Sequence, residues 1–177
     1  MGYRSEVAYS ISFSSDAELA SFLAQAKALS GTAVDPHDQV TINNQGFRDS
    51  AVRRTWGRMD LALNDVGIKT QAQNYGIPFI AFYQDGVKWY PSYYQEVDAH
   101  ESLFELAIVN YFNGGQKTTF LNGTTFTASL IACDFLRIGE DDNDVFTKQL
   151  GMSQMNGSFG VQRSIWRTET FEKASEV

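Results

Sequence analysis

The chain has 177 residues, and 14 Lys and Arg against 21 Asp and Glu give it a formal net charge of −7. Apolar residues make up 43% of the chain and aromatic residues 14%, which excludes collagen-like and intrinsically disordered proteins and allows a core that needs no disulfide or metal. The acidic balance disfavours nucleic acid as a partner, because binding to the phosphate backbone relies on basic surfaces.

Three features set expectations about the compartment. Cys133 is the only cysteine, so no intramolecular disulfide can form. Residues 1–13 contain no apolar run followed by a small-residue cleavage site, and no run of 18 apolar residues occurs in the chain. We therefore expect a cytoplasmic protein without a membrane span.

The N-terminal part predicts a strand and then a helix. Apolar residues at odd positions over 7–13 alternate with small or polar ones, which is typical of a strand. Ser15 and Glu18 match a capping box, and apolar residues then recur at helical spacing, which predicts a helix over 16–30. The polar segment 32–46 is interpreted as a loop or a brief edge strand.

The middle of the chain predicts a second helix and a hairpin. Over 50–66 the apolar residues step by three or four, which keeps them on one helical face. The β-branched and aromatic run 77–83 is followed by Asp85-Gly86, a strong two-residue turn signal, and 87–90 resumes the strand character. A β-hairpin is therefore predicted over 77–90.

The C-terminal part predicts four further elements. Apolar spacing over 96–112 indicates a helix, and Asn122-Gly123 between threonine-rich runs indicates a second hairpin over 118–127. Segment 130–138 is apolar on both alternating faces, as in a central strand, and 159–166 is a further strand candidate.

These elements predict the fold class. Without the second helix their order is βαββαβ plus an extra strand, which is typical of a ferredoxin-like α+β fold whose helices pack on one face of an antiparallel sheet. We find no internal repeat and no linker in the sequence. The chain is therefore expected to form one domain over 1–168, followed by a polar tail over 169–177.

Few residues offer catalytic or metal-binding chemistry. His37 and His100 do not occur in a metal-ligand or catalytic spacing, so both are expected to be solvated or to cap a helix. Cys133 lies inside a predicted strand and is expected to be buried. Nucleotide-binding and nucleophile-elbow motifs are missing from the sequence. We therefore predict no catalytic residue, no metal and no cofactor.

Two segments are candidates for contact with a partner. Four aromatic residues within 89–94 cannot all point inward, and aromatic residues at a surface favour protein contacts, although they could instead cap the core. The acidic run 140–144 is expected to be a solvated loop, to bind a cation or to accept hydrogen bonds from an arginine-rich partner. The predicted interaction surface consists of Lys88, Trp89, Tyr90, Tyr93, Tyr94, Glu140, Asp141, Asp142 and Asp144.

A different site is possible from charged residues that are distant in sequence. Neighbouring antiparallel strands could bring them together, either as structural ion pairs or as a site for a small anion. The second case would fit a ligand-binding or hydrolytic domain. The residues are Arg4, Glu6, Arg137, Glu140 and Arg163.

Short motifs in the chain resemble a known family. The opening Met1-Gly2-Tyr3-Arg4-Ser5-Glu6-Val7-Ala8, then Val87-Lys88-Trp89-Tyr90, Phe135-Leu136-Arg137-Ile138-Gly139-Glu140-Asp141 and Arg163-Ser164-Ile165 are similar to a family of uncharacterised bacteriophage, prophage and bacterial proteins. That family has no established activity, so the resemblance implies a viral or prophage origin and transfers no catalytic residue.

The resemblance implies an accessory protein in the cytoplasm of a host cell. Together with the absence of a catalytic motif, it predicts a non-catalytic accessory protein that binds a host or phage protein. A virion component is an alternative function, and a homo-oligomer is compatible with the excess of aromatic residues.

Overall fold

The computed structural model describes residues 4–47, 54–71, 77–90, 93–114, 118–119, 125–126, 128–141 and 143–151. Within these residues the chain forms four helices and seven strands. In chain order they are β1 (Ser5–Phe13), α1 (Asp16–Leu29), α2 (Pro36–Asn44), α3 (Met59–Leu63), β2 (Ile68–Gln71), β3 (Phe79–Val87), α4 (Gln95–Asn113), β4 (Thr118–Thr119), β5 (Thr125–Phe126), β6 (Leu130–Ile138) and β7 (Val145–Gly151).

Five strands form one antiparallel sheet in the order β2-β3-β1-β6-β7. β1 lies at the centre, between β3 and β6, and is buried along its whole length. β4 and β5 form a separate two-stranded sheet. The predicted α+β class is confirmed at this level: an antiparallel sheet combined with helices.

The core lies between one face of the sheet and the helices. Tyr9 on β1 is paired in register with Phe82 on β3 and with Phe135 on β6, so the three rings share one face. Phe104 of α4 packs edge-on against Tyr9, with 6.1 Å between ring centroids. Phe22 of α1 contacts the ring of Phe13, which lies on the same face of β1 as Tyr9. α1 and α4 therefore cover the same side of the sheet.

The predicted helices over 16–30 and 96–112 are confirmed as α1 and α4. The amide of Glu18 donates to the Ser15 hydroxyl at the start of α1, which is one half of a capping box, and the Glu18 carboxylate accepts from the amide of Ser129. α4 ends where Gly114 adopts a left-handed conformation, with φ of 61°, and donates to the carbonyl of Asn110. Among the described helices, none combines the length and the apolar composition that a membrane-spanning segment needs.

The predicted hairpin at Asp85-Gly86 is wrong, because β3 continues through these residues to Val87. Ser5 pairs with Val87 whereas Val7 pairs with Gln84, so β3 carries one extra residue here. Gly86 has a φ of +67°, the left-handed conformation that a β-bulge of this kind uses. Asp-Gly often forms a tight turn, but here β1 pairs with residues before and after the dipeptide, and the extra residue becomes a bulge.

The predicted helix over 50–66 is reduced to the five residues of α3. Residues 54–58 instead run beside the segment after α1, and the amides of Val34 and Trp56 donate to the carbonyls of Arg54 and Thr32, at 2.9 and 2.8 Å. Gly57 packs so tightly on α4 that a Cβ would lie 2.9 Å from the Ser102 hydroxyl. These tertiary contacts override the helical periodicity. Residues 50–53 lie outside the described part.

The segment interpreted as a loop over 32–46 contains a helix, α2. The carboxylate of Asp35 accepts a hydrogen bond of 2.8 Å from the amide of His37, and Pro36 occupies the first helical turn. An acidic cap followed by proline is a favourable start for a helix, since proline needs no donor partner there. Asp35-Pro36 is therefore a local signal for the start of a helix.

The cap can be tested by substitution. Asp35→Ala is expected to lower the free energy of unfolding by about 1 kcal/mol, because the first turn of α2 loses its acceptor. Urea denaturation measures this change. Asp35→Asn keeps a capping side chain and should stay close to the wild type; an equal loss in both variants would show that the charge of Asp35, rather than its cap, matters.

Two edge strands were not predicted. β7 pairs with β6 and alternates exposed and half-buried residues, and the four-residue β2 pairs with β3. Both segments are short or mixed in polarity, so their patterns are weak. The hairpin predicted over 118–127 is present as the pair β4–β5, although its tip at 120–124 lies outside the described residues. The strand predicted over 159–166 and the tail 169–177 also lie outside them.

Candidate functional site

α4 carries polar side chains into the core. These residues are each at most 6% exposed, and burial of such groups is unfavourable unless they are hydrogen-bonded. Ser102 accepts a hydrogen bond from the amide of Gly57, and Asn110 donates to Gln25 of α1. The set comprises His100, Glu101, Ser102, Glu105 and Asn110.

His100 is the centre of a hydrogen-bonded chain of three side chains. Its Nδ1 lies 2.8 Å from the Tyr9 hydroxyl, and its Nε2 lies 2.8 Å from Oδ2 of Asp65. Asp65 Oδ1 accepts in turn from the amide of Gly67. His100 is 2% exposed, whereas 21% of the Asp65 side chain is exposed. These hydrogen bonds therefore connect the protein surface at Asp65 to the buried hydroxyl of Tyr9.

Burial and hydrogen bonding shift the pKa values of Asp65, His100 and Tyr9. Burial raises the pKa of Asp65, but hydrogen bonds from the Gly67 amide and from His100 outweigh it and hold the pKa below its usual value. Burial lowers the pKa of His100, against the opposing effect of Asp65. Burial and then the Asp65 charge raise the pKa of Tyr9. A neutral His100 thus donates from Nε2 to an ionised Asp65 and accepts at Nδ1 from a neutral Tyr9.

The order of hydroxyl, imidazole and carboxylate resembles that of an activated nucleophile, but the hydroxyl is enclosed. Tyr9 is 1% exposed, and its ring is surrounded by those of Phe82, Phe104 and Phe135. In this geometry the three groups link the sheet, α4 and the segment before β2. The prediction that His100 is solvated or caps a helix is wrong, because its ring is buried and bonds the side chains of Tyr9 and Asp65. His37 is exposed, as expected.

The first aromatic residue of the predicted surface belongs to the core. Trp89 is 6% exposed, and its indole N–H donates to Oε1 of Glu101 at 3.0 Å. Its ring also packs near Phe82, His100 and Phe135. Trp89 therefore caps the core, the alternative recognised for this segment, and it offers no ring to a partner. Lys88, next to it, is half-buried.

The three tyrosines that follow form an aromatic group at the surface, here named the tyrosine cluster (Tyr90, Tyr93 and Tyr94). Their ring centroids lie 5.1 to 6.5 Å apart. Tyr93 is 78% exposed, and the other two are half-buried. The carbonyl of Tyr90 accepts from the amides of Tyr93 and Tyr94 at 3.1 and 3.3 Å, which closes a turn just before α4.

The acidic turn (residues 140–144) connects β6 to β7. The amide of Asp144 donates to the carbonyl of Asp141, and the Asp144 carboxylate accepts two hydrogen bonds, of 2.8 and 2.9 Å, from Arg137. Asp142 lies outside the described residues. Within the described part of the chain, no group of three or more His, Cys, Asp or Glu side chains is placed to hold a metal ion.

The charged residues of the alternative site are only partly brought together. The amide of Arg4 donates to Glu140 at 2.6 Å, and the Arg4 guanidinium donates to the carbonyl of Gly86. Glu6 accepts instead from the Tyr83 hydroxyl. Because Arg137 is the register partner of Val7, its side chain lies on the sheet face opposite to Glu6. Arg163 lies outside the described residues.

The tyrosine cluster and the acidic turn lie at the same end of the sheet. Ser5, at the start of β1, pairs with Val87 at the end of β3, and Glu6 pairs with Ile138 at the end of β6. The cluster follows β3 in the chain, and the acidic turn follows β6. Arg4 bridges the two neighbouring segments through Gly86 and Glu140. Aromatic and acidic groups are thus presented together.

Cys133 is buried, as predicted, and burial followed by the charge of Asp134 raises the pKa of its thiol well above the usual value. A buried thiol that stays protonated is a poor nucleophile.

We expect the native protein to react with a thiol reagent such as DTNB at least about 100-fold more slowly than the unfolded chain, since labelling of Cys133 requires an opening of the core. Equal rates in native buffer and in 8 M urea would contradict this burial.

The sequence identified part of this arrangement and missed the rest. It pointed to the exposed tyrosines, but not to the buried link, because Tyr9 and Asp65 are 91 and 35 residues away from His100. α4 is buried on all sides over 99–110, and its signal for the link is a set of polar residues within an otherwise apolar helical segment. No family model, curated protein or solved structure matches the chain.

Proposed function

We propose that this protein acts without catalysis, by binding another protein through the sheet end that carries the tyrosine cluster and the acidic turn. The observation that supports this most is the exposure of Tyr93, 78% of whose surface is open within a cluster of three touching rings. Tyrosine is enriched at binding hot spots because it buries a large area at a small loss of side-chain entropy.

The cluster is held in place on both sides. Before it, Trp89 is anchored in the core and hydrogen-bonded to Glu101. After it, α4 begins at Gln95, and Val97 in its first turn is 3% exposed. A surface group between two buried anchors needs little ordering when a partner binds, which favours affinity.

The acidic turn adds a fixed pattern of charge. Hydrogen bonds from Arg137 to Asp144 and from Arg4 to Glu140 hold two of its carboxylates in place. Charges arranged in this way influence the choice of partner and the rate of association more than the final affinity. The turn therefore supports a role in recognition beside the tyrosine cluster.

The interior supports a non-catalytic role. The hydroxyl, imidazole and carboxylate of Tyr9, His100 and Asp65 end at a hydroxyl that solvent does not reach. A general base or nucleophile must come within hydrogen-bond distance of its substrate. The enclosure of Tyr9 favours a structural use of these three groups.

The biological setting is proposed on the resemblance of the sequence motifs. A small acidic protein similar to phage and prophage proteins would act in the cytoplasm of the host as an accessory factor. The partner would then be a protein of the host or of the phage.

We further propose that the central part of the fold is ferredoxin-like. In support, β2, β3, β1 and β6 stand side by side with every neighbouring pair antiparallel, and α1 and α4 lie on one face of them. The chain order of these elements is βαββαβ. On this view α2, α3 and the edge strand β7 are additions to the core.

A pull-down from nuclease-treated host lysate tests the proposed function. The tagged protein is expected to recover one stoichiometric protein, and Tyr93→Ala is expected to reduce its recovery by about tenfold, the loss expected at a binding hot spot. Phe112→Ala is the matched control: Phe112 is 48% exposed at the far end of α4 and should leave recovery unchanged.

Both variants remove largely exposed rings, so their melting temperatures should stay near that of the wild type. Recovery of the bait alone, or equal recovery by Tyr93→Ala and the wild type, contradicts the proposed function.

A further inference from the structure

We infer that the partner presents a cationic side chain, above all arginine, from a basic segment to the tyrosine cluster. This inference rests on the proposed function and names the chemistry of the partner. It follows from the angles between the rings, from the charges around them and from the residue type of the rings themselves.

The rings form corners. Tyr90 and Tyr93 lie at 76° to each other with centroids 6.5 Å apart, and Tyr93 and Tyr94 lie at 73° with centroids 5.1 Å apart. A cation placed at such a corner lies within about 6 Å of both centroids, the range in which the negative ring face attracts it. Tyr93, which is 78% exposed, thus offers an open ring surface with a second ring close beside it.

The surroundings favour a positive ligand. Asp85 and Glu96 are exposed on either side of the cluster in the chain, and the acidic turn lies at the same sheet end. Two basic residues lie in the adjoining segments: Arg4 is exposed and its guanidinium donates to the carbonyl of Gly86, and Lys88 is half-buried. The carboxylates of Asp85, Glu96, Glu140 and Asp141 outnumber them at this end of the sheet. The whole chain carries a net charge of −7, which attracts basic partners over a longer range.

Arginine fits this surface better than a purely apolar group does. Its planar guanidinium stacks on an aromatic ring while its N–H groups donate to carboxylates or hydroxyls at the edge. Tyr93 offers a hydroxyl at an exposed ring, and Glu96 in the first turn of α4 offers a carboxylate. Nucleic acid is disfavoured by the same negative charge that favours arginine.

Two labelled peptides test the inference by fluorescence anisotropy. One carries three arginines separated by glycine and serine, and the other replaces each arginine by citrulline, which keeps the shape and removes the charge. The wild type is expected to bind the arginine peptide at least about tenfold more tightly. Tyr93→Ala should lose about tenfold in affinity, and Tyr93→Phe should keep most of it because the ring face remains.

The charge and position controls complete the design. Glu96→Gln is expected to weaken binding about twofold to threefold. Asp16→Asn in the first turn of α1 and Phe112→Ala at the far end of α4 should behave as the wild type. These two control variants remove, respectively, a charge and a ring of the same kinds at distant sites.

The outcomes separate this inference from the proposed function. Equal affinity for the arginine and citrulline peptides, or an unchanged affinity in Tyr93→Ala, overturns the inference. If the pull-down partner is still lost in Tyr93→Ala, the proposed function stands and the partner uses other chemistry. If the arginine peptide binds through Tyr93 but the lysate yields no partner, the proposed function fails while the ligand preference holds.

Discussion

Replacing Trp89 by alanine is expected to lower the free energy of unfolding by about 4 kcal/mol, since a buried tryptophan is removed from the core. The indole packs near Phe82, His100 and Phe135 and is only 6% exposed. Its N–H is also a donor to the buried carboxylate of Glu101. Urea denaturation followed by circular dichroism measures the change.

Trp89→Phe separates the contribution of the buried ring from that of the hydrogen bond to Glu101. The variant keeps an aromatic ring and loses the donor, so it should fall between the wild type and Trp89→Ala, with a loss of about 1 to 2 kcal/mol. A Trp89→Ala protein within 1 kcal/mol of the wild type would show that the ring does not fill the core.

This prediction affects how binding should be tested. A loss of partner in Trp89→Ala would follow from a destabilised fold, because the side chain supports the turn on which the tyrosine cluster stands. Tyr93→Ala removes a ring that is 78% exposed and leaves this support intact. The two neighbouring aromatic residues therefore report on different properties of the protein.

Replacing His100 by alanine is the second substitution with a large expected effect, a loss of about 3 kcal/mol. The Tyr9 hydroxyl loses its acceptor in the core, Asp65 loses its donor, and a cavity remains next to the ring of Phe82. His37→Ala is the control, because the only other histidine of the chain has 79% of its side chain exposed. A loss in His100→Ala no larger than that in His37→Ala would contradict the buried link.

The same residue gives the stability a dependence on pH. Burial, partly offset by Asp65, holds the pKa of His100 in the folded protein below its ordinary value of 6.5. The unfolded chain therefore binds this proton first as the pH falls, so the stabilisation is complete above pH 6.5 and is lost progressively below it. The slope is at most about 1.4 kcal/mol per pH unit for one proton. It should persist in His37→Ala and disappear in His100→Ala.

The elements that could be predicted from the sequence are those with local signals. α1 is defined by Ser15 and Glu18 at its start, and α4 by its apolar spacing and by Gly114 at its end. Two of the errors arose where a distant segment decides the outcome. Asp85-Gly86 is a bulge because β1 pairs on both sides of it, and Gly57 interrupts a periodic segment because α4 packs against it.

The candidate surface shows the same limit. The run of aromatic residues is visible in the sequence, but which of them are buried depends on α4. Glu101 of α4 accepts a hydrogen bond from the indole N–H of Trp89, 12 residues earlier in the chain. Tyr93 lies beyond this contact and remains outside. The buried link of His100 could not be predicted, because helical periodicity alone does not show which polar residue finds partners in the core.

Hydrogen exchange of the protein bound to the partner that it recovers from lysate tests the central claim most directly. The account predicts slower exchange of the backbone amides of residues 93–98 and of the acidic turn than in the free protein. A partner bound at this end of the sheet would exclude water from both segments. Protection confined to α2 or to β7, with exchange at the tyrosine cluster unchanged, would contradict it.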